Sequence, residues 1–152
     1  MGYLGLLIIF FLAFKPAKVV IDPKLQKYVT SFEKYAKKYG KETKIDYSVT
    51  FKDLLGVRAG VCYYSTIYGG QEVFVDRGTF ILVPEHLRIS LIFHELAHCS
   101  FGREHNIKTY RGKPLNWMYP QLFFYDIKLI EDYIEALITD KDENLIKKLE
   151  RK

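Results

Sequence analysis

The chain has 152 residues, which is enough for one domain with a sizeable core. Hydrophobic residues make up 49% of the sequence and aromatic residues 16%, a composition that excludes an intrinsically disordered protein. The formal net charge is only +5 and the sequence contains no nucleic-acid-binding motif, so we expect no nucleic-acid partner.

The N-terminus carries an uncharged apolar run, residues 3–14, which ends at Lys15 and Pro16. This run is too short for a full membrane span and matches the apolar region of a signal peptide. No lysine or arginine precedes the run, however, and no good cleavage site follows it. We interpret residues 1–18 as a membrane anchor or export signal and residues 19–152 as a single domain. The alternative is a buried first element of the domain, which would make the protein cytoplasmic.

The next segment, residues 24–44, alternates lysines with apolar and aromatic residues at helical spacing. This pattern predicts an amphipathic helix over about residues 23–39, with the aromatic side chains in the core and the lysines in water. An alternative interpretation is a surface that binds anionic lipid or nucleic acid.

Several short segments have the residue alternation of strands. Residues 44–51 form the first predicted strand. Residues 60–68 and 71–76 form the next two, and a Gly-Gly pair between them predicts a hairpin turn. Residues 79–83 predict a short fourth strand.

Residues 85–101 predict a buried helix. Pro84 suits its first turn, Glu85 complements the N-terminal dipole and Gly102 suits its end. The segment is apolar on most sides, so polar groups within it are costly unless they are paired or bind a metal. This cost favours a metal site over a core helix that carries histidines by chance.

Residues 94–105 begin with HExxH and hold three of the four histidines in the chain. On a helix, His94 and His98 project from one face, where they can share one zinc ion. Glu95 lies beside them and can take a proton from a zinc-bound water. His105 follows a glycine that could reverse the chain, and it can supply the third protein ligand of a catalytic zinc site.

The two cysteines are Cys62, in a predicted strand, and Cys99, directly after His98. In an exported domain they could form a disulfide that joins the sheet to the helix. The alternative is two buried thiols that behave as small apolar residues.

Residues 116–120 have the sequence Asn-Trp-Met-Tyr-Pro, and residues 121–139 predict a long apolar helix with a charged helical tail to about residue 150. Together with HExxH, this segment resembles the metzincin clan of zinc peptidases, which pairs HExxHxxGxxH with a later methionine in a tight turn. It is also similar to small, poorly described metallopeptidases of phages and bacteria. The motifs cover residues 94–120, about a fifth of the chain. The resemblance implies three zinc ligands, a general base and a turn methionine, namely His94, His98, His105, Glu95 and Met118.

The spacing departs from the clan at one point. The third histidine of the clan falls six residues after the second, where this chain has Glu104, and His105 comes one residue late. Gly102 is also one residue late, and a one-residue lengthening of the helix end would explain both shifts. Glu104 as an oxygen ligand stays open, since zinc accepts carboxylates. A further arrangement takes the third ligand from Glu131 or Glu135.

The expected fold is α+β, similar to a minimal zincin: an N-terminal helix, a small and mainly antiparallel sheet, the active-site helix, the Met-turn and a C-terminal helix. The implied function is a peptidase with one zinc ion per chain, in which Glu95 is the general base and a zinc-activated water attacks a peptide or protein substrate. Such peptidases pair an extended substrate with a strand edge, here predicted at Val73–Val75. The alternative is a zinc-stabilised binding module, tethered to the membrane through residues 3–14 and without peptidase activity.

Overall fold

The computed structural model describes residues 18–56, 58–65, 70–123 and 125–151. Within these ranges the chain forms helices packed on a small sheet, which confirms the α+β class. Residues 3–14 lie outside the described part, so the anchor or export signal stays a prediction. None of the described helices is both long and apolar enough to cross a membrane.

The first helix, α1, spans Gln26–Lys38 and agrees with the predicted helix at 23–39. Its lysines lie on the solvent side, and two of them form ion pairs with later elements, Lys27 with Glu85 and Lys38 with Glu131. Its opposite face is buried and consists of Tyr28, Val29, Phe32 and Ala36.

The sheet has three strands, β1 (Ser48–Lys52), β2 (Gly60–Ser65) and β3 (Gly70–Asp76), in the order β1-β3-β2. The central strand β3 pairs antiparallel with β2 and parallel with β1. Side-chain alternation is the same in both kinds of pairing, so the sequence pattern alone could not identify the parallel pair. The predicted first strand, residues 44–51, begins only at Ser48. Gly70, predicted as the second residue of the hairpin turn, is instead the first residue of β3 and pairs with Ser65, and Gly69 lies outside the described residues.

The chain enters the domain beside β1. The Val49 N–H donates to the Val20 carbonyl at 2.9 Å, and the Asp22 N–H donates to the Val49 carbonyl at 2.9 Å. Ile21 forms a parallel bridge to Val49 between these two bonds. Pairing within the described chain therefore begins at Val20, and its buried apolar core begins at Leu25.

We expect deletion of residues 1–18 to leave a folded domain, because the pairing of Val20 with β1 is retained. The free energy of unfolding should change by less than about 1 kcal/mol, the range typical of changes away from a core. Circular dichroism melting of the truncated and full-length chains measures this change. Loss of cooperative unfolding on truncation would show that residues 3–14 belong to the core and that the export interpretation is wrong.

The predicted fourth strand, residues 79–83, is wrong, because this segment belongs to a short helix, α2 (Arg77–Leu82). The Asp76 carboxylate accepts a hydrogen bond from the Thr79 N–H at 2.7 Å and caps the helix. A short apolar run has no periodicity that distinguishes strand from helix, and here the cap determines the helix.

The buried helix α3 spans Glu85–Phe101, with the predicted bounds. It ends at Gly102, whose φ of 61° places it in the left-handed region that favours glycine. The chain then forms a loop with a small hairpin, β4 (Thr109–Tyr110) and β5 (Lys113–Pro114).

The C-terminal helix is shorter than the predicted 121–139. A 3-10 turn at Ile127–Leu129 leads into α4 (Ile130–Thr139), and α5 (Glu143–Glu150) follows as a separate helix. The segment before the 3-10 turn contributes aromatic side chains that pack on one another, among them Phe123 and Tyr125 at 5.9 Å between ring centroids. The predicted helix was too long at its N-terminal end because the residues before the 3-10 turn are apolar but do not form a helix.

Candidate metal centre

Three histidine side chains converge at the C-terminal part of α3. His94 and His98 lie one turn apart, and their Nε2 atoms are 3.0 Å from each other. The chain reverses after Gly102 and brings the Nε2 atom of His105 to 3.3 Å from that of His94. The three ligand atoms all lie within 4.8 Å of one another. The described chain therefore contains a group that could hold one metal ion, formed by the three histidines predicted as ligands.

Backbone carbonyls fix two of these imidazoles. The His94 Nδ1 lies 2.6 Å from the Trp117 carbonyl oxygen, and the His98 Nδ1 lies 2.5 Å from the Arg103 carbonyl oxygen. A carbonyl oxygen only accepts hydrogen bonds, so each Nδ1 carries the proton and donates it. In the neutral ring the Nε2 then has a free lone pair, which is the form that binds metals.

Burial keeps these two rings neutral. It lowers the pKa of His94 to about 4 and also lowers the pKa of His98. Two Nε2 lone pairs then face each other at 3.0 Å with no proton between them, which is repulsive unless a cation lies close to both. The chemistry of the donor set thus fits a bound metal ion.

The separations also fit. Zinc–imidazole bonds are about 2.0–2.1 Å, so the nitrogen ligands of a tetrahedral site are about 3.3 Å apart. The two Nε2–Nε2 distances to His94, 3.0 and 3.3 Å, are close to this value.

The other residues considered as third ligands lie elsewhere. Glu131 pairs with Lys38 at 3.0 Å, and Glu135 accepts a hydrogen bond from Asn144 at 2.9 Å. Glu104 is exposed. In the described chain no carboxylate joins the group formed by the three histidines.

Glu95 is buried between α3 and β2 and is only 6% exposed. A Cβ atom at Gly60 would lie 2.7 Å from its Cγ and 2.9 Å from its Oε1, so glycine is needed for this close approach. Burial raises the pKa of the Glu95 carboxyl to about 7, and a hydrogen bond from the Cys62 backbone N–H partly opposes that shift. The predicted general base is thus held in place by β2.

The strand β2 is fastened to α3 at alternate residues. Cys62 and Cys99 form a disulfide, which answers the question that the sequence left open. Two residues further on, the Tyr64 hydroxyl donates to the His98 carbonyl at 2.6 Å. Gly60, Cys62 and Tyr64 lie on the same side of the strand because side chains alternate.

A cleft of about 920 Å³ opens over the histidines and Glu95. One side is formed by residues 58–62 and Tyr64, and the other by Trp117 and residues 119–122. The rim strand is therefore β2, and its prediction at Val73–Val75 is wrong. Those residues belong to β3, which is paired on both sides and fully buries Val73 and Val75.

The segment 116–120 contacts the group of three histidines, because its Trp117 carbonyl accepts the hydrogen bond from His94. Met118 is buried, at 2% exposure, and its carbonyl accepts a hydrogen bond from the Asn106 N–H at 2.9 Å. The role of Met118 beneath a metal stays a prediction. Sequence reasoning missed Asn116, a fully buried polar residue that holds this segment.

Comparisons with protein-family models, with curated proteins and with solved structures each return no match. The assignment of the site therefore depends on its own geometry and chemistry.

Proposed function

We propose that this protein is a zinc-dependent metallopeptidase that holds one zinc ion through His94, His98 and His105. The observation that carries the proposal is the convergence of three imidazole Nε2 atoms in an open cleft, beside the buried carboxyl group of Glu95. Imidazole nitrogens suit zinc, and three protein ligands with access from solvent are typical of its catalytic sites.

His94, His98 and His105 would hold the zinc ion, which would supply a Lewis acid that lowers the pKa of a bound water and polarises the substrate carbonyl. Among the described residues that line the cleft, Glu95 is the only one with an acidic side chain. It takes the proton of the attacking water and later delivers it to the leaving amine. Its contacts with Gly60 and the Cys62 N–H keep the carboxyl group at a fixed distance from β2.

The substrate is an extended peptide that adds to the outer edge of β2. Within the described sheet β2 pairs only with β3, and its residues line the cleft, so its unpaired edge is available to a peptide bound there. Main-chain hydrogen bonds to a strand edge bind peptides with little dependence on their side chains. Tyr119 lines the opposite side of the cleft and is a candidate donor to the developing oxyanion.

The disulfide supports an extracytoplasmic location, since such bonds persist in oxidising compartments. We infer that the protein is exported or membrane-anchored through residues 3–14.

Zinc analysis of the purified protein and a cleavage assay with a broad peptide library test the proposal. We expect one zinc per chain and cleavage that a chelator abolishes. One zinc per chain without cleavage of any peptide would instead favour the binding module, and absence of zinc would contradict both.

Gly60→Ala should disturb the base without touching a metal ligand. The added Cβ would overlap Glu95, so the carboxyl group or β2 must move, at a cost of about 1–3 kcal/mol in unfolding free energy. We expect peptide cleavage to fall about tenfold or more while zinc content is retained. Gly70→Ala is the matched control, because a Cβ there meets nothing within 4 Å. Equal rates for the two variants would show that the approach of Gly60 to Glu95 does not matter for catalysis.

A further inference from the structure

Side chains from two separate loops contact the C-terminal end of α4 and the residues after it. They donate hydrogen bonds there, and one of them also forms an ion pair. One donor is Asn116, the first residue of the segment 116–120. The other is Arg103, which follows shortly after α3. Each of these loops also provides the backbone carbonyl that orients one of the histidines. The two side chains thus reach the same end of α4 from opposite sides of the β4–β5 hairpin in the sequence.

The Asn116 side chain uses both its donor and its acceptor groups. Its Nδ2 donates to the Ala136 carbonyl at 3.1 Å and to the Asp142 carboxylate at 3.2 Å. Its Oδ1 accepts from the Met118 N–H at 3.0 Å, and the residue is 1% exposed. The peptide group that contains the Met118 N–H also contains the Trp117 carbonyl, so the bond to Asn116 helps to fix the orientation of that carbonyl.

The Arg103 side chain makes the corresponding contact from the other loop. Its Nη2 donates to the Ile138 carbonyl at 2.9 Å, and its Nη1 pairs with the Asp140 carboxylate at 2.5 Å. Asp140 lies at the end of α4 with a φ of 64°, in the left-handed region, which aspartate and asparagine adopt more readily than most other residues. The backbone carbonyl of Arg103 is the one that accepts from His98.

The third histidine is connected to the same framework. The Asn106 N–H, directly after His105, donates to the Met118 carbonyl at 2.9 Å. A displacement of the segment 116–118 would therefore reach both His94 and the backbone next to His105.

We propose that Asn116 and Arg103 are positioning residues of the metal centre, which fix the imidazoles of His94 and His98 by anchoring their carbonyl partners to the end of α4. This inference rests on the proposed function, because it takes the histidines to be metal ligands. Groups that orient ligand imidazoles usually change metal affinity about 10- to 100-fold when removed, since a free ring loses orientational entropy on binding. α4 itself contributes no ligand to the group of three histidines.

The first test is Asn116→Asp, which keeps the shape and the acceptor for Met118 but loses both donors. The readout is the zinc dissociation constant from competition with a chromogenic chelator, together with the melting temperature of the metal-free protein. We expect the zinc dissociation constant to rise about 10- to 100-fold. Asn144→Asp is the control, since Asn144 donates to Glu135 at the same joint between α4 and α5 without any connection to a histidine. Its zinc affinity should stay within about twofold, below the range expected of an orienting group.

A second pair of variants tests the other loop and applies even if Asn116→Asp fails to fold. Arg103→Met keeps much of the side-chain length but removes the donors, and Arg103→Lys restores the charge and one donor. We expect Arg103→Met to weaken zinc binding about tenfold or more and Arg103→Lys to recover part of the loss.

The outcomes separate the two proposals. If the wild-type protein binds no zinc, the proposed function fails. If the wild type binds zinc and the variants melt at lower temperature with an unchanged zinc dissociation constant, Asn116 and Arg103 serve only the fold and this inference is overturned.

Discussion

Glu95→Gln is expected to lower peptide cleavage about a hundredfold or more while the fold and the zinc content are retained. Glutamine keeps the shape that packs against Gly60, and its carbonyl oxygen can still accept from the Cys62 N–H. It cannot take a proton from water at neutral pH, so the step that needs a base is lost. Initial rates on an accepted peptide, with zinc measured by mass spectrometry on the same sample, give the comparison.

The control for this substitution is Glu104→Gln, the same chemical change at an exposed carboxyl group outside the histidine group. Its cleavage rate should equal that of the wild type. Wild-type activity in Glu95→Gln would remove Glu95 from the mechanism, whereas loss of zinc in this variant would mean that it acts through the metal.

His105→Ala is expected to have the largest effect on metal content. Loss of a group that only orients a ligand weakens metal binding by up to about 100-fold. Removal of one of the three ligands themselves should weaken zinc binding by more than this. Substitution of the preceding residue, Glu104→Ala, should leave zinc bound, since Glu104 lies outside the group of ligand atoms. Dialysis against a weak chelator followed by zinc analysis distinguishes the two.

The opposite result would reassign the third ligand. If Glu104→Ala loses the metal and His105→Ala retains it, Glu104 is the third ligand, at the position where the metzincin motif has its third histidine. If both variants retain zinc, two histidines suffice or the ligand comes from another element, and the approach of His105 to His94 is incidental.

The sequence predicted the elements that are long and strongly patterned. The helix α3 has the predicted bounds because its start, its apolar periodicity and its terminal Gly102 all agree. The approach of His105 to His94 and His98 also followed from short-range spacing. The strand neighbours did not, because which strand lies beside β3 depends on contacts between distant segments.

The supports of the site were harder to predict for a different reason. The partners of His94 and His98 are backbone carbonyls, and a carbonyl leaves no signature in residue type. Asn116 could have been noticed only as a polar residue in an apolar segment. With two cysteines in the sequence only one pairing was possible, so what remained open was whether the thiols are oxidised.

The bond between Cys62 and Cys99 has a consequence for the unfolded chain. It closes a loop with a sequence separation of 37, which includes β3, α2, Glu95 and two of the three histidines. In the chain-entropy model, closing such a loop stabilises the folded state by about 4 kcal/mol, because the unfolded ensemble loses conformational freedom. Small domains are stable by only about 5–15 kcal/mol, so this contribution is a large part of the total. It exists only where thiols are oxidised, so the domain that carries the three histidines has its full stability only in an oxidising environment.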